Sequence, residues 1–344
     1  MITTPEYQGD LEWLDSLAYP WDELTGKTVL VTGATGMIGS LLTDVLIDKS
    51  EPYGFSVIAM ARDRNRLEKL FGERSREKSI KLISHDVTVP FELDYDYAFH
   101  CASNTHPMQY SADPVGTITT NVIGLQNVLK NMKKSGRVVC LSSVEIYGEN
   151  RGDTDTFDEK YCGYIDPNTV RSGYNESKRM CESLCQAYKA QYGLDFVTAR
   201  LSRTYGPSLR IDDTKAMSQM IMNTCRNEDI VLKSEGNQRF SYCYSADAVN
   251  ALIFLLFNGK SGEAYNVSSD ESDISLKELA EYICSISGTE IKYEFPSSSE
   301  KEGYSKAVRA LLDTAKIKQI GWESHYKLRD GIKRTISSIK ADLL

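Results

Sequence analysis

The sequence has no run approaching the ~18 consecutive apolar residues of a membrane-crossing helix, and its opening stretch, Met1 to Asp10, is polar and acidic with no apolar segment of the secretory type. No membrane association and a cytoplasmic location are therefore expected. It has no Cys-x-x-Cys pair and no Cys/His cluster, because Cys101, Cys140, Cys162, Cys181, Cys185, Cys225, Cys243 and Cys284 are scattered. That scatter disfavours a structural zinc, assigns no metal site, and fits reduced thiols. Only Cys181 and Cys185 share a helical spacing, which reads as packing. It has no long basic run either: 40 Lys and Arg stand against 48 Asp and Glu, a net charge of −8, so nucleic acid is not an expected partner. Internal repeats and low-complexity linkers are also missing.

What is present is enough apolar material for a core. The 344 residues are 41% hydrophobic and 26% charged, a balance typical of a globular chain without disulfide staples. Lys27 to Thr32 is a short β-branched run ending in glycines, the mark of a buried parallel strand. A helix follows at 37–47, where Met37, Ile38, Leu41, Leu42, Val45 and Leu46 recur at three and four, leaving Thr43, Asp44 and Asp48 for solvent. Strands at 55–61, 80–83, 97–101, 137–142 and 196–201 then alternate with helices at 64–71, 121–132 and 174–192. That alternation specifies an α/β fold, a Rossmann-like doubly wound parallel sheet covered on both faces. Residues 1–26 read as an apolar arm carrying Leu11, Trp13, Leu14 and Trp21, and 27–204 as the dinucleotide-binding domain. Residues 205–344 read mainly as a smaller C-terminal α/β substrate lobe, with a return of the chain to the first domain around 240–260 left open. That lobe has helices near 215–226, 247–257 and 276–287, a strand at 230–232, a Pro/Ser loop at 296–299 and an apolar segment at 311–317. It would wall a pocket at the sheet's carboxyl edge.

Gly33-Ala34-Thr35-Gly36-Met37-Ile38-Gly39 places glycines at i, i+3 and i+6 between a strand and a helix. Gly33 permits the tight turn, Gly36 lets the main chain approach a pyrophosphate on the positive helix terminus, and Gly39 allows close packing of helix on strand. After the second strand comes Ala61-Arg62-Asp63. Ala61 stands where an acid would bond a ribose 2′-hydroxyl, so NAD is the expected cofactor with NADP left open, and Arg62 is a candidate for a phosphate or for the adenine. Asp86 and Val87, after the third strand, are placed for adenine.

Ser142-Ser143 ends the fifth strand, and Tyr174-Asn-Glu-Ser-Lys178 opens a long helix with the tyrosine and lysine on one face. A phenol is a poor base at neutral pH unless a neighbouring cation favours its phenolate. Beside an ammonium and a positively charged nicotinamide, Tyr174 can take a hydroxyl proton while Ser143 holds the same oxygen and hydride leaves the carbinol carbon.

These motifs resemble those of an extended short-chain dehydrogenase/reductase of the NAD-dependent epimerase/dehydratase family, enzymes that remodel nucleotide-activated sugars. The resemblance runs from Val29-Leu-Val-Thr-Gly33 through His100-Cys-Ala-Ser103, Ser142 to Gly148, Tyr174 to Lys178 and Tyr205-Gly206-Pro207 to Tyr242-Cys-Tyr244, Asp247 and Gly262-Glu-Ala-Tyr-Asn266. It implies a tightly held NAD(P), touched further by Cys101, Ala102, Ser103, Asn121 and Arg200. It also implies a nucleoside diphosphate-sugar, UDP-linked by preference, and a homodimer joined in a four-helix bundle by the helices at 121–132 and 174–192. Within the family the sequence is most similar to UDP-glucuronate decarboxylases, through the Ser-x-Glu-x-Tyr-Gly turn with Glu145, through Arg171, and through Gly206 to Asp213. It departs from them at Ser208 and Phe240, where those enzymes usually carry Arg, and at Arg203, where an Asn usually meets the diphosphate. Asn104, Arg171, Arg203, Arg210 and Arg239 are the candidate substrate contacts.

All the reactions so implied begin by oxidising C4 of the sugar. The ketone acidifies the neighbouring C–H and turns a C5 carboxylate into a β-keto acid that loses carbon dioxide. A 4,6-dehydratase needs an acid where Val144 stands, which weakens dehydration. Decarboxylation is the leading expectation, with Glu145 acting beside C5; a 4-epimerase, an NADPH-dependent reductase and a non-catalytic NAD(P)-responsive binder are the alternatives.

Overall fold

The computed structural model describes residues 4–76, 79–105, 107–295 and 308–343. The first half runs α1 (Pro5–Ser16), β1 (Thr28–Thr32), α2 (Met37–Tyr53), β2 (Ser56–Ala61), α3 (Arg64–Phe71), β3 (Ile80–Ser84), β4 (Tyr95–His100), α4 (Pro107–Ala112), α5 (Pro114–Asn131) and β5 (Met132–Ser143). Then come α6 (Ser172–Tyr192), β6 (Asp195–Leu201), β7 (Arg203–Tyr205), α7 (Ala216–Cys225), β8 (Ile230–Leu232), β9 (Arg239–Phe240), β10 (Tyr242–Tyr244) and α8 (Ser245–Asn258). The chain ends with β11 (Ala264–Val267), β12 (Ile274–Ser275), α9 (Leu276–Ser287), β13 (Ile291–Tyr293), β14 (Arg309–Ala310), α10 (Ala315–Gln319) and α11 (Leu328–Leu343).

Seven parallel strands form the central sheet in the order β11-β6-β5-β4-β1-β2-β3. The order reverses direction between β1 and β4, and at such a reversal a crevice opens beyond the strands' carboxyl ends. Successive β1 residues point to opposite faces: Val29 and Val31 join the core with α2 and α8, while Leu30 joins Leu125, Val128 and Phe196 on the other face. β11 pairs with β6 and α8 packs on β5 and β6, so 245–267 returns to the central sheet. The remaining short strands make three small sheets, β10-β7, β12-β9-β14 and β13-β8, beside the carboxyl edge. The Pro/Ser loop expected at 296–299 lies outside the described residues, and the 311–317 segment is divided between an extended stretch after β14 and α10.

Two expectations change. The helix expected at 121 begins at Pro114, where Asp113 caps it by accepting from the Gly116 N–H at 2.9 Å and proline occupies the first turn. Thr43 and Asp44, expected to face solvent, are 0% and 3% exposed. Thr43 turns its hydroxyl onto the Gly39 carbonyl at 2.7 Å, and Asp44 is covered by the arm, which forms α1 against α2. Tyr7 donates to Asp44 at 2.7 Å, and Arg74 pairs with Asp44 at 3.3 Å. The arm is anchored further by Asp10, fully buried, which accepts from Tyr244 at 2.8 Å and Arg334 at 2.7 Å.

Candidate active site

The glycine turn is tied to the ends of two neighbouring strands. Gly33 has φ +67°, and a Cβ there would lie 2.7 Å from the Ala102 nitrogen, so only glycine lets the turn seat against Cys101-Ala102. A Cβ on Gly39 would fall 2.2 Å from the Gly33 carbonyl oxygen. Gly36 differs. It is the exposed N-cap of α2, with no side-chain cap, and its Cβ would meet only the Gly33 oxygen at 3.2 Å. The space outside Gly36, Met37 and Ile38 therefore fits a phosphate group on the helix terminus, with Thr35 at the rim. Ser208 closes one side by donating to the Met37 carbonyl at 3.2 Å. Arg62 is exposed beyond β2. Asp86 accepts from the Thr88 N–H at 2.9 Å; burial alone would raise its carboxyl, but the Thr88 hydrogen bonds outweigh that and hold it below its ordinary value. Val87 is buried, its carbonyl accepting from Asn127 at 2.8 Å.

At the end of β4, His100 accepts from or donates to Thr32 Oγ1 at 2.9 Å. Burial, helped by the Lys178 charge, pushes its imidazole down to about 3, so it is neutral at working pH. Burial also pushes the Cys101 thiol up to about 12, which removes it as a nucleophile. Ser103 donates to Asn121 Oδ1 at 2.7 Å, and Asn121 donates to Ser177 at 2.8 Å. Asn121 thus braces the loop after β4 against α6, a role its place in the sequence did not disclose. Asn104 is buried and donates to Thr117 at 3.4 Å.

The face of α6 carrying Tyr174 and Lys178 is pressed on the end of β5. Lys178 donates to the Leu141 carbonyl at 2.8 Å, and its ammonium lies 6.0 Å from the centre of the Tyr174 ring. One residue beyond Tyr174, Asn175 donates to the Glu145 carbonyl at 3.0 Å; three residues before it, Arg171 meets Glu145 Oε2 at 2.8 Å. Ser143 caps the turn after β5 by accepting from the Glu145 N–H at 3.2 Å. These contacts draw Ser143, Glu145, Tyr174 and Lys178 into one group. Arg203 joins them at 3.6 Å from Glu145 Oε1. Burial alone would raise the Glu145 carboxyl, but the Arg171 and Arg203 guanidiniums and the hydrogen bonds from Arg171 and Asn175 outweigh it and hold it below its usual value. Glu145 is a fixed anion, suited to accepting hydrogen bonds and poorly suited to donating a proton.

Three other candidates lie elsewhere. Arg200 makes four hydrogen bonds within the protein, to Glu182, Tyr147 and the Glu159 carbonyl. Arg210 is paired with Asp212 at 2.7 Å and sits near Asp63 and Arg66, at the β2–α3 corner. Arg239 is half-buried, pairing with Glu278 at 3.1 Å and donating to the Asp273 carbonyl at 3.2 Å. In the sequence Phe240 stands out only as a departure from the decarboxylases and Asn175 has no assigned role; both are packed against charged members of the group.

Known proteins resemble this chain over most of its length. UDP-glucuronic acid decarboxylase 6 of Arabidopsis thaliana is 33% identical over 311 residues, covering 88% of this chain and 86% of that protein. Among solved structures, the dTDP-glucose 4,6-dehydratase DesIV of Streptomyces venezuelae with NAD and TYD bound superposes with a TM-score of 0.78 at 23% identity, covering 92% of this chain and 97% of the other. The UDP-glucuronic acid 4-epimerase of Bacillus cereus, in complex with UDP-glucuronic acid and NAD, gives 0.76 at 21% identity over 91% and 99%. The model of the NAD dependent epimerase/dehydratase family matches residues 29–268, and the chain belongs to that family.

Proposed function

We propose that this protein binds NAD on the Gly33–Gly39 turn and decarboxylates a UDP-linked hexuronate through transient oxidation at C4. The observation that carries the reading is the docking of α6 on the end of β5, by which Lys178 reaches Leu141 while Arg171 and Asn175, on either side of Tyr174, reach Glu145. NAD bound on the turn supplies the hydride acceptor. Ser143 Oγ holds the C4 hydroxyl, Tyr174 takes its proton, and Lys178 presents its ammonium to the phenol. Loss of carbon dioxide from the resulting β-keto acid needs no base at C5. A Glu145 held as an anion by two arginines suits that step better than a reaction that must lift the C5 hydrogen. Tyr174 then returns its proton when C4 is reduced.

Two copies are proposed to pair through α5 and α6, a reading supported by the exposed apolar side chains Val115, Ile118 and Met180 on those helices.

The test is incubation with UDP-glucuronate in heavy water and mass spectrometry of the product. A UDP-pentose carrying one deuterium at C5 is expected, because the enolate left by decarboxylation is protonated from solvent. An unlabelled 4-epimer would move the assignment to epimerisation, and failure to bind any UDP-sugar would overturn the reading.

A further inference from the structure

We propose that Arg203, laid flat on Phe240, is the oxyanion receptor of the substrate site, and that Arg210 and Arg239 are not. This rests on the nucleotide-sugar reading above and assigns its charge recognition to one side chain.

Arg203 opens β7, paired with Tyr242 of β10, so it stands beside Phe240 at the carboxyl edge of the sheet. Its guanidinium carbon lies 3.5 Å from the centre of the Phe240 ring. A stack that close fixes the plane of the guanidinium and dries one of its faces. Two observations show that its hydrogen-bonding capacity is unspent. Nη2 is 3.6 Å from Glu145 Oε1, longer than an N–H···O bond. Nη1 is buried and has no hydrogen-bond partner among the described residues.

Arg171 is the contrast. Its Nη1 donates to Asn175 and its Nη2 to Glu145, each at 2.8 Å. Arg171 makes the direct hydrogen-bonded pair with Glu145, so Arg203, at 3.6 Å from the same carboxylate, keeps donors that this pairing does not use. That matters because an unpaired carboxylate beside Arg203 would repel an incoming anion. A buried donor without a partner is unfavourable, and the acceptor that relieves a guanidinium best is an anionic oxygen. Glu145 bonds Ser143 through its N–H, so Arg203 is two contacts from the serine that holds the reacting hydroxyl. The oxyanion belongs to that same substrate molecule: the carboxylate on C5 or an oxygen of the diphosphate.

Calorimetric titration of the full-length protein with UDP, UDP-glucose and UDP-glucuronate separates the two sources. If the group is the C5 carboxylate, Arg203→Gln weakens UDP-glucuronate at least about tenfold and leaves the other two within about twofold. If it is the diphosphate, all three weaken together. Arg203→Lys, which keeps the charge without the planar fork, is expected between wild type and the Gln variant. Arg203→Gln binding all three ligands within about twofold of a wild type that binds them overturns this proposal alone. A wild type that binds none overturns the nucleotide-sugar reading and this proposal with it. Should the Gln variant fail to melt cooperatively, Phe240→Leu, which keeps the guanidinium but removes its support, must weaken UDP-glucuronate several-fold; unchanged binding there is equally fatal.

Discussion

Asp44 lies beneath the arm, 3% exposed, with its carboxyl pushed up to about 6 by burial, which the Tyr7 hydrogen bond and Arg74 only partly offset. An acid whose folded value lies above its unfolded value of about 4 weakens the fold when it ionises. The penalty is absent below pH 4, where Asp44 is protonated in both states. It grows between pH 4 and 6 and is complete above 6. A rise of about two units corresponds to about 3 kcal/mol at pH 7. Asp44→Asn keeps an oxygen for Tyr7 and removes the titration. Asp247, also raised to about 6 by burial, is untouched by the change and cancels when the two proteins are compared. With an unfolding entropy of about 2 cal/mol/K per residue over 344 residues, 3 kcal/mol is about 4 °C in melting temperature. The melting temperature of Asp44→Asn minus that of wild type should therefore rise by about 4 °C between pH 4 and pH 7. Any fixed cost of the amide shifts both ends equally. A difference that is flat across that range, or that falls, would refute the placement of Asp44 as a buried, incompletely paired acid.

Tyr174→Phe should lower turnover of UDP-glucuronate by about 10²- to 10⁴-fold while NAD binding, followed by calorimetry, is unchanged; full turnover would remove Tyr174 from the chemistry. Gly36→Val puts side-chain atoms into the open space at the α2 terminus, so a folded variant should lose dinucleotide binding, and undiminished affinity would locate the cofactor elsewhere. Glu145→Gln removes the anion that Arg171 and Arg203 hold, so the labelled pentose should fall steeply while NADH formation in a single turnover persists; an unaffected variant would make Glu145 purely structural. Met180→Glu on the exposed face of α6 should shift the sedimentation coefficient from dimer to monomer, and a monomeric wild type would refute pairing through these helices.

Much of the fold was legible because its signals are local. Gly33, Gly36 and Gly39 lie within one strand-turn-helix unit, whose conformation is set by neighbouring residues, and the four-residue spacing of Tyr174 and Lys178 puts both on one face of any helix. The start of α5 also carries a local signal, Asp113-Pro114, ahead of Thr-rich first turns that interrupt the apolar period. The roles of the candidate arginines were not legible at all. Arg171, Arg200, Arg203, Arg210 and Arg239 are chemically the same in sequence, and what most of them do depends on which other segment supplies the counter-charge: Glu145 for Arg171, Glu182 for Arg200 and Glu278 for Arg239, with only Arg210 pairing with a sequence neighbour, Asp212. Phe240 beneath Arg203 is likewise a contact between different strands. The burial of Asp44 has the same origin, because periodicity identifies the apolar face of a helix but not whether its polar face will be covered. By itself the sequence determined the cradle, the Tyr174–Lys178 pair and the alternating α/β plan, all encoded over a few turns of chain. Only the tertiary structure decided which charges are spent on one another and which remain for a ligand, since burial and pairing are properties of segments brought together through space.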